Sequence, residues 1–547
     1  MTVPIVQLCQ VLDPAEFARN VHADPAWRER ARRTCLGLGA YVQGLNAHRG
    51  LYDRLEAALG PGSGLRGEAL EVGRSLARDF RRYGVHLSAA RKATMAALTQ
   101  QMQELGFAYS DNLVRSDQGG SAGASADPEM AALGEAALAR LLHTSDDPAT
   151  RARLLSERRL ARGQRRACLG GTENAHSAPS ALGCAVFKKR ARARSGSPSS
   201  ALLLDARPRD LIPGLDRLMT RLMGVRVREE ALTDAREAWA PGLVKLAVCE
   251  ADGAPLGTIY WDFEPRAGKM AGGAHFVLRC GRNFRSGEEP ADGSTPLAPQ
   301  RPVLVLVASL PLAQRLSAQQ LELLLHEWGH AMHTVLSQTR YQHLSGTRGP
   351  LDLMEVPSSV FECFARDARA LETLLGTDRV GAEAVARALG AERRGFAALG
   401  TLHQAQLARV DLALHGDASA PLAAARDAAT AELLDWRSPL ASLRGVRPVL
   451  PQLSFNHLIG YGGTYYSYLT SQAIAARLWR REGFAEDPLS PEAGRHLRER
   501  LLRIGGSWPA SRVFEGLFDG DDGALWLPDG GVVPDPTDLL DDLGLSQ

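Results

Sequence analysis

Apolar positions along the chain follow two spacings. Leu321, Leu325, Trp328, Met332 and Val335 recur at steps of 4, 3, 4 and 3, which places them in one stripe on an α-helix. Trp27, Ala31, Cys35 and Leu38 repeat the helical step behind Asp24-Pro25, a helix-opening pair. LYDRLEAAL, EALEVGRSLARDFRRYGVHL and SAARKATMAALTQQMQELGFAYSDNL continue it, the last with Ser88 placed as an N-cap. Residues 1–165 therefore read as a helical wall. From about 201 the period changes. LIPGLDRLMTRLMGV reads as a helix, and Val244, Leu246 and Val248 alternate ahead of Gly253 as the first strand of a hairpin. AHFVLRC and PVLVLVASL are further strands bounded by Gly and Pro. After Phe361 helices return through about 480.

Between these regions, residues 151–200 carry 12 Lys or Arg against two Glu, including KKRARAR at 188–194. This stretch reads as a solvated, disordered insert or a mis-spliced piece of chain, rather than a nucleic-acid patch. The expected division is an N-terminal helical domain over 1–165, a basic low-complexity segment over 166–202 and a catalytic unit over 203–547.

Composition narrows the class. The 547 residues are 45% apolar and 23% charged, with a net charge of +2. A chain this long holds more than one substructure around a cleft. Its near-neutral charge argues against nucleic acid or an anionic membrane as partner. Seven scattered cysteines without a C-x-x-C fit free thiols in a reducing compartment. No apolar run approaches the ~20 residues of a membrane span. The opening stretch as written, with Asp13, Glu16 and Asp24, is not expected to act as a secretory or mitochondrial leader.

The candidate chemistry lies on the striped helix. LELLLHEWGHAMH contains H-E-x-x-H: His326, Glu327 and His330. Positions i and i+4 share a helix face one turn apart, so both imidazoles can reach one metal ion. Zinc accepts neutral imidazole and leaves a position for water in catalytic sites. Glu327, next to the first ligand, can take the water's proton as it attacks a carbonyl. A third ligand is needed. His333 is near in sequence, but lies roughly 10 Å along the axis from His326 at 1.5 Å per residue. Glu355, 25 residues after His330, is the better candidate if a second helix folds back beside the first. Glu322 and Asp352 each lie one turn before a proposed ligand. They could hold a ligand imidazole's other N–H, or serve as ordinary acids near helix starts. His457, Tyr461, Tyr465, Tyr466 and Tyr468 cluster around Gly460, Gly462 and Gly463. They are either donors for a developing oxyanion or buried aromatics with satisfied hydroxyls.

HEWGHAMH, SGTRGPLDLMEVPS and HLIGYGGTYYSYL, in that order, resemble the M3 family of zinc oligopeptidases. Within the family they are most similar to its mitochondrial, octapeptide-removing branch. The resemblance implies a mainly α fold, with two helical domains flanking a deep channel and a small β-sheet beside the zinc helix. It implies one Zn2+ held by His326, His330 and Glu355, with Glu327 as general base. Glu322 and Asp352 are implied in support of that site, and His457, Tyr461, Tyr465 and Tyr468 around the substrate; His333, by its place on the helix, is expected as a further supporting polar residue at the edge of the cleft. The implied activity is endopeptidase cleavage of unfolded peptides, with removal of N-terminal octapeptides from imported precursors in the mitochondrial matrix. The chain is expected to act as a monomer on a peptide or unfolded precursor. The alternatives are a general cytosolic oligopeptidase of the same family and a non-catalytic, peptide-binding or zinc-stabilised isoform with an incomplete channel.

Overall fold

The structure, a computed structural model, describes residues 2–62, 64–117, 203–270, 272–282, 300–349, 351–415, 457–460, 462–518, 525–526 and 531–546. The basic segment expected over 166–202 lies outside the described residues, as does Tyr461.

Helices dominate. The N-terminal part contains α1 (Thr2–Val21), α2 (Pro25–Asn46), α3 (Arg49–Leu59), α4 (Glu68–Arg82) and α5 (Ala89–Asp117). Asp24 caps α2 through the Ala26 N–H, with Pro25 at the first helical position. α6 (Ile212–Met223) follows and stops at Gly224, which is left-handed at φ +67°.

A five-stranded mixed sheet comes next: β1 (Val225–Glu230), β2 (Val244–Glu250), β3 (Pro255–Asp262), β4 (Ala274–Arg279) and β5 (Val303–Val307). Their order is β1-β2-β3-β5-β4. All neighbours are antiparallel except β3 and β5. The β2–β3 hairpin turns at Gly253, φ +91°. The pattern of the chain gave no warning of β1. In VRVREE only Val225 and Val227 are buried, and the last three residues are exposed.

The longer helices that follow among the described residues are α7 (Ala318–Leu336), α8 (Leu351–Phe364), α9 (Ala368–Leu375), α10 (Arg379–His415), α11 (Ser467–Arg481), α12 (Pro491–Leu497), α13 (Ala510–Phe518) and α14 (Thr537–Leu543), with a single helical turn at His457–Gly460. Arg498–Leu502 continues α12 as a π turn. α7 starts with a capping box in which Ser317 and Gln320 satisfy each other's backbone N–H. Its stripe of Leu321, Leu325, Trp328, Met332 and Val335 is buried. Trp328 meets Trp261 of β3 edge-on at 6.3 Å, joining the helix to the sheet in the main core.

The N-terminal helices are bound to this unit through α1. Phe17 and Val21 pack with Tyr260, Val305 and Val307, and Phe17 meets Trp239 edge-on. Arg266 donates to the Val21 carbonyl at 2.7 and 3.0 Å while pairing with buried Asp262. Met270 N–H donates to the Asn20 carbonyl at 2.9 Å. Among the described residues Cys9, Cys35, Cys249, Cys280 and Cys363 are free thiols, and no helix is long and apolar enough to cross a membrane.

Candidate metal centre

α7 and α8 cross at Gly329, inside the H-E-x-x-H run. A Cβ there would lie 2.6 Å from Ser358 Cα and 2.7 Å from the Pro357 carbonyl. Only glycine allows this approach, and the approach brings Glu355 to the histidines. Glu355 Oε2 lies 3.3 Å from His330 Nε2 and 3.6 Å from His326 Nε2. The candidate ligand atoms of these three residues all fall within 4.8 Å of one another, and together they could hold a metal ion. Two ligands each about 2.0–2.1 Å from a tetrahedral zinc stand about 3.3 Å apart. The observed separations match that spacing and exceed an ordinary N–H···O hydrogen bond. The two imidazole planes are nearly perpendicular, with centroids 5.0 Å apart.

The surrounding groups prepare these side chains. Ser358 Oγ–H bonds both the Glu355 carbonyl (2.9 Å) and Oε2 (3.1 Å). Burial would raise the Glu355 carboxyl, but the imidazoles of His330 and His326 and the Ser358 hydroxyl overcome it and hold it at about 2. The side chain is therefore an available anion. His326 Nδ1–H donates to Glu362 Oε1 at 2.8 Å. Burial alone would lower the His326 pKa, yet the bond to Glu362 carries it up to about 9. Arg366 pairs with Glu362 at 2.8 Å and with Glu322 at 2.6 Å.

This departs from the expected support. Glu322 does not hold His326; it salt-bridges Arg366, and Glu362 takes the position predicted for it. Glu362 stands two turns beyond Glu355 on the same face of α8, a spacing that could have indicated it. Asp352 lies on α8 one turn before Glu355, and its side chain is outside the described set. His330 Nδ1 is buried and has no hydrogen-bond partner among the described residues. His333 does not join the metal cluster. It is buried, both ring nitrogens lack partners among the described residues, and burial holds it neutral with a pKa of about 3.

Glu327 projects toward the sheet, where a Cβ on Gly273 would come 2.7 Å from its Oε1. Burial raises its carboxyl above the ordinary range, and the nearby imidazoles of His330 and His326 offset this only in part. A raised carboxyl beside a metal site suits a proton acceptor that later returns the proton.

The site opens into a cavity of about 1420 Å³. One side is formed by α1 and α5, with Arg19, Met102 and Phe107. The other includes His326, Glu327, Glu355, His457 and Tyr468. His457 contacts Tyr465 and Tyr468 edge-on at 5.2 and 5.6 Å. Tyr465 is buried behind them against Leu407 and Ala408, and burial raises its phenol. Burial also lowers the His457 imidazole, with Glu355 and Asp411 opposing the shift.

Comparison with known proteins identifies the family. The model of peptidase family M3 matches residues 202–522. Mitochondrial intermediate peptidase of Mus musculus is 28% identical over an alignment 590 positions long, gaps included, covering 93% of this chain and 80% of its own length. The protein of that name in Arabidopsis thaliana is 26% identical, covering 98% of this chain and 88% of its own. The Homo sapiens protein is 36% identical over 56% of this chain and 42% of its own. A solved M32 carboxypeptidase of Deinococcus radiodurans R1 shares the fold at a TM-score of 0.50 and 13% identity, covering 99% of this chain and 98% of its own. A putative oligoendopeptidase F does so at 0.50 and 14%, covering 92% and 85%. With the family match spanning more than half of its length, the chain belongs to peptidase family M3 and is a metallopeptidase.

Proposed function

We propose that the chain is a zinc endopeptidase that cleaves unfolded peptides. The convergence of His326 Nε2, His330 Nε2 and Glu355 Oε2 at zinc-ligand spacing carries the reading. Those three residues would hold the ion, which when bound supplies Lewis acidity and lowers the pKa of a water to about 7. Glu327 accepts the proton of the attacking water and delivers it to the leaving amine. His457 and Tyr468 face the same cavity and donate toward the carbonyl oxygen as charge develops there. Tyr465 supports both rings from behind. Tyr461 belongs to the same group by resemblance.

Among the described residues β4 is an edge strand, and Gly273, Ala274, His275 and Phe276 line the cavity. An extended peptide pairing with that edge runs past Glu327. On this reading residues 203–547 are the catalytic unit, and the helices within 1–165 form the opposing wall. The shared name of the relatives favours a mitochondrial role, namely removal of short N-terminal peptides from imported precursors in the matrix. The partner is then an unfolded precursor, met by a monomer.

The test is cleavage of a quenched peptide and of an octapeptide-bearing precursor by the purified full chain, with bound zinc measured in parallel. Activity lost on chelation and restored by zinc, with a cut eight residues from the precursor's N-terminus, supports the proposal. Stoichiometric zinc with no cleavage of any unfolded peptide overturns it in favour of a binding protein.

A further inference from the structure

The loop after the helical turn His457–Gly460 is held from behind by one carboxylate. Asp411, on α10, is fully buried. Its Oδ1 accepts the Gly463 N–H at 2.7 Å and its Oδ2 the Tyr465 N–H at 2.8 Å. Oδ1 also accepts from His415 Nδ1–H, one turn further along α10, at 2.9 Å. A buried carboxylate is costly unless its oxygens are engaged, and here two amides of one short loop and a neighbouring imidazole engage them. The His415 ring presses on the same loop: a Cβ at Gly462 would lie 2.6 Å from His415 Nε2. Gly463 is left-handed at φ +79°. Asp411 and His415 thus form a socket that a loop with glycine at both 462 and 463 can enter. The two fixed amides belong to Gly463 and Tyr465, and the Tyr465 ring backs His457 (5.2 Å) and Tyr468 (5.1 Å), the two side chains of this cluster that reach the cavity among the described residues.

We propose that Asp411 is a positioning residue for catalysis, which pins the Gly463 and Tyr465 amides so that Tyr465 sets His457 and Tyr468 at the reacting carbonyl. The proposal rests on the reading of His457 and Tyr468 as donors to that carbonyl. Asn at 411 offers one acceptor oxygen and one NH2 where two amides must be received, so it keeps the shape of Asp but breaks one anchor.

The experiment uses the full chain with zinc bound and compares wild type, Asp411→Asn, Tyr468→Phe and the double variant. It measures kcat and KM on a quenched peptide, zinc content, and deuterium exchange across 462–465. The expected result for Asp411→Asn is full zinc, faster exchange in the loop, and a kcat lower by on the order of 10²-fold, the usual cost of misplacing a group by about 1 Å, at nearly unchanged KM. Adding Asp411→Asn to Tyr468→Phe should cost less than it costs in wild type, because one of the two donors that Asp411 sets is already gone. Wild-type kcat in Asp411→Asn alongside an impaired Tyr468→Phe overturns the role of Asp411 alone. Losses that multiply in full in the double variant also overturn it, since they show that Asp411 does not act through Tyr468. Wild-type kcat in Tyr468→Phe removes the underlying reading and this proposal with it. If Asp411→Asn fails to fold, Gly462→Ala displaces the loop from His415 with Asp411 intact. It should show the same loss of kcat at full zinc, and wild-type kcat there overturns the proposal.

Discussion

Glu362 Oε1 accepts from His326 Nδ1 at 2.8 Å, so an acid 36 residues downstream fixes the ring whose other nitrogen faces Glu355. Arg366 in turn spans Glu362 and Glu322. Glu362 thereby sets the tautomer and the rotation of the imidazole, while Glu322 acts only through the guanidinium. Glu362→Gln should weaken zinc binding by about 10- to 100-fold, the usual cost of removing such a partner. Glu322→Gln should weaken it far less. Competition with a chromogenic chelator measures both, and equal losses in the two variants would contradict the assigned order.

Glu327→Ala should retain stoichiometric zinc and lose at least ~10³-fold in kcat, because the attacking water loses its proton acceptor. His326→Ala should lose the metal itself. Metal analysis beside a peptide assay separates the two effects. Unchanged turnover in Glu327→Ala would rule out the assigned general base.

Gly329→Ala places a methyl group where the α8 backbone lies. The helices must separate, at about 1–3 kcal/mol for an overpacked core, and Glu355 recedes from the histidines as they do. The expected outcome is a lower thermal midpoint together with weaker zinc retention. A variant that melts early but holds zinc as tightly as wild type would show that the crossing does not place the third ligand.

Acid should destabilise the fold through buried neutral histidines. Burial pushes His343 down to about 4, with Arg348 adding to the shift, and its Nε2 is buried without a partner among the described residues. The unfolded chain binds a proton at His343 below about 6.5, whereas the folded chain resists until about 4. Stability therefore falls as pH drops from 6.5 toward 4, by on the order of 2–3 kcal/mol from this residue. Urea midpoints measured from pH 7 to pH 4.5 should decline less in His343→Gln than in wild type. Parallel slopes would assign the acid loss to other groups.

The candidate metal centre was legible where its residues are close in sequence or carried by a compact motif. The stripe from Leu321 to Val335 announced the helix, and the i, i+4 histidines lie on it as the period requires. Glu355 could be proposed because one loop and one helix suffice to return it. Glu362 was missed because Glu322, one turn before His326, looked better placed. The choice between them depends on Arg366, which draws Glu322 away, and on the crossing angle at Gly329. Asp411 was missed for a similar reason: its partners stand 52 and 54 residues further on, and a lone Asp within a long helix reads as a solvated position. β1 escaped because two valines followed by charged residues carry too short an alternation to register as a strand.

The grip of Arg266 on the Val21 carbonyl, with the amide of Met270 on Asn20 beside it, restricts how the protein can breathe. α1 is fastened to the same sheet that packs against α7, so this flank of the cavity cannot part from His326 and His330 without breaking those bonds.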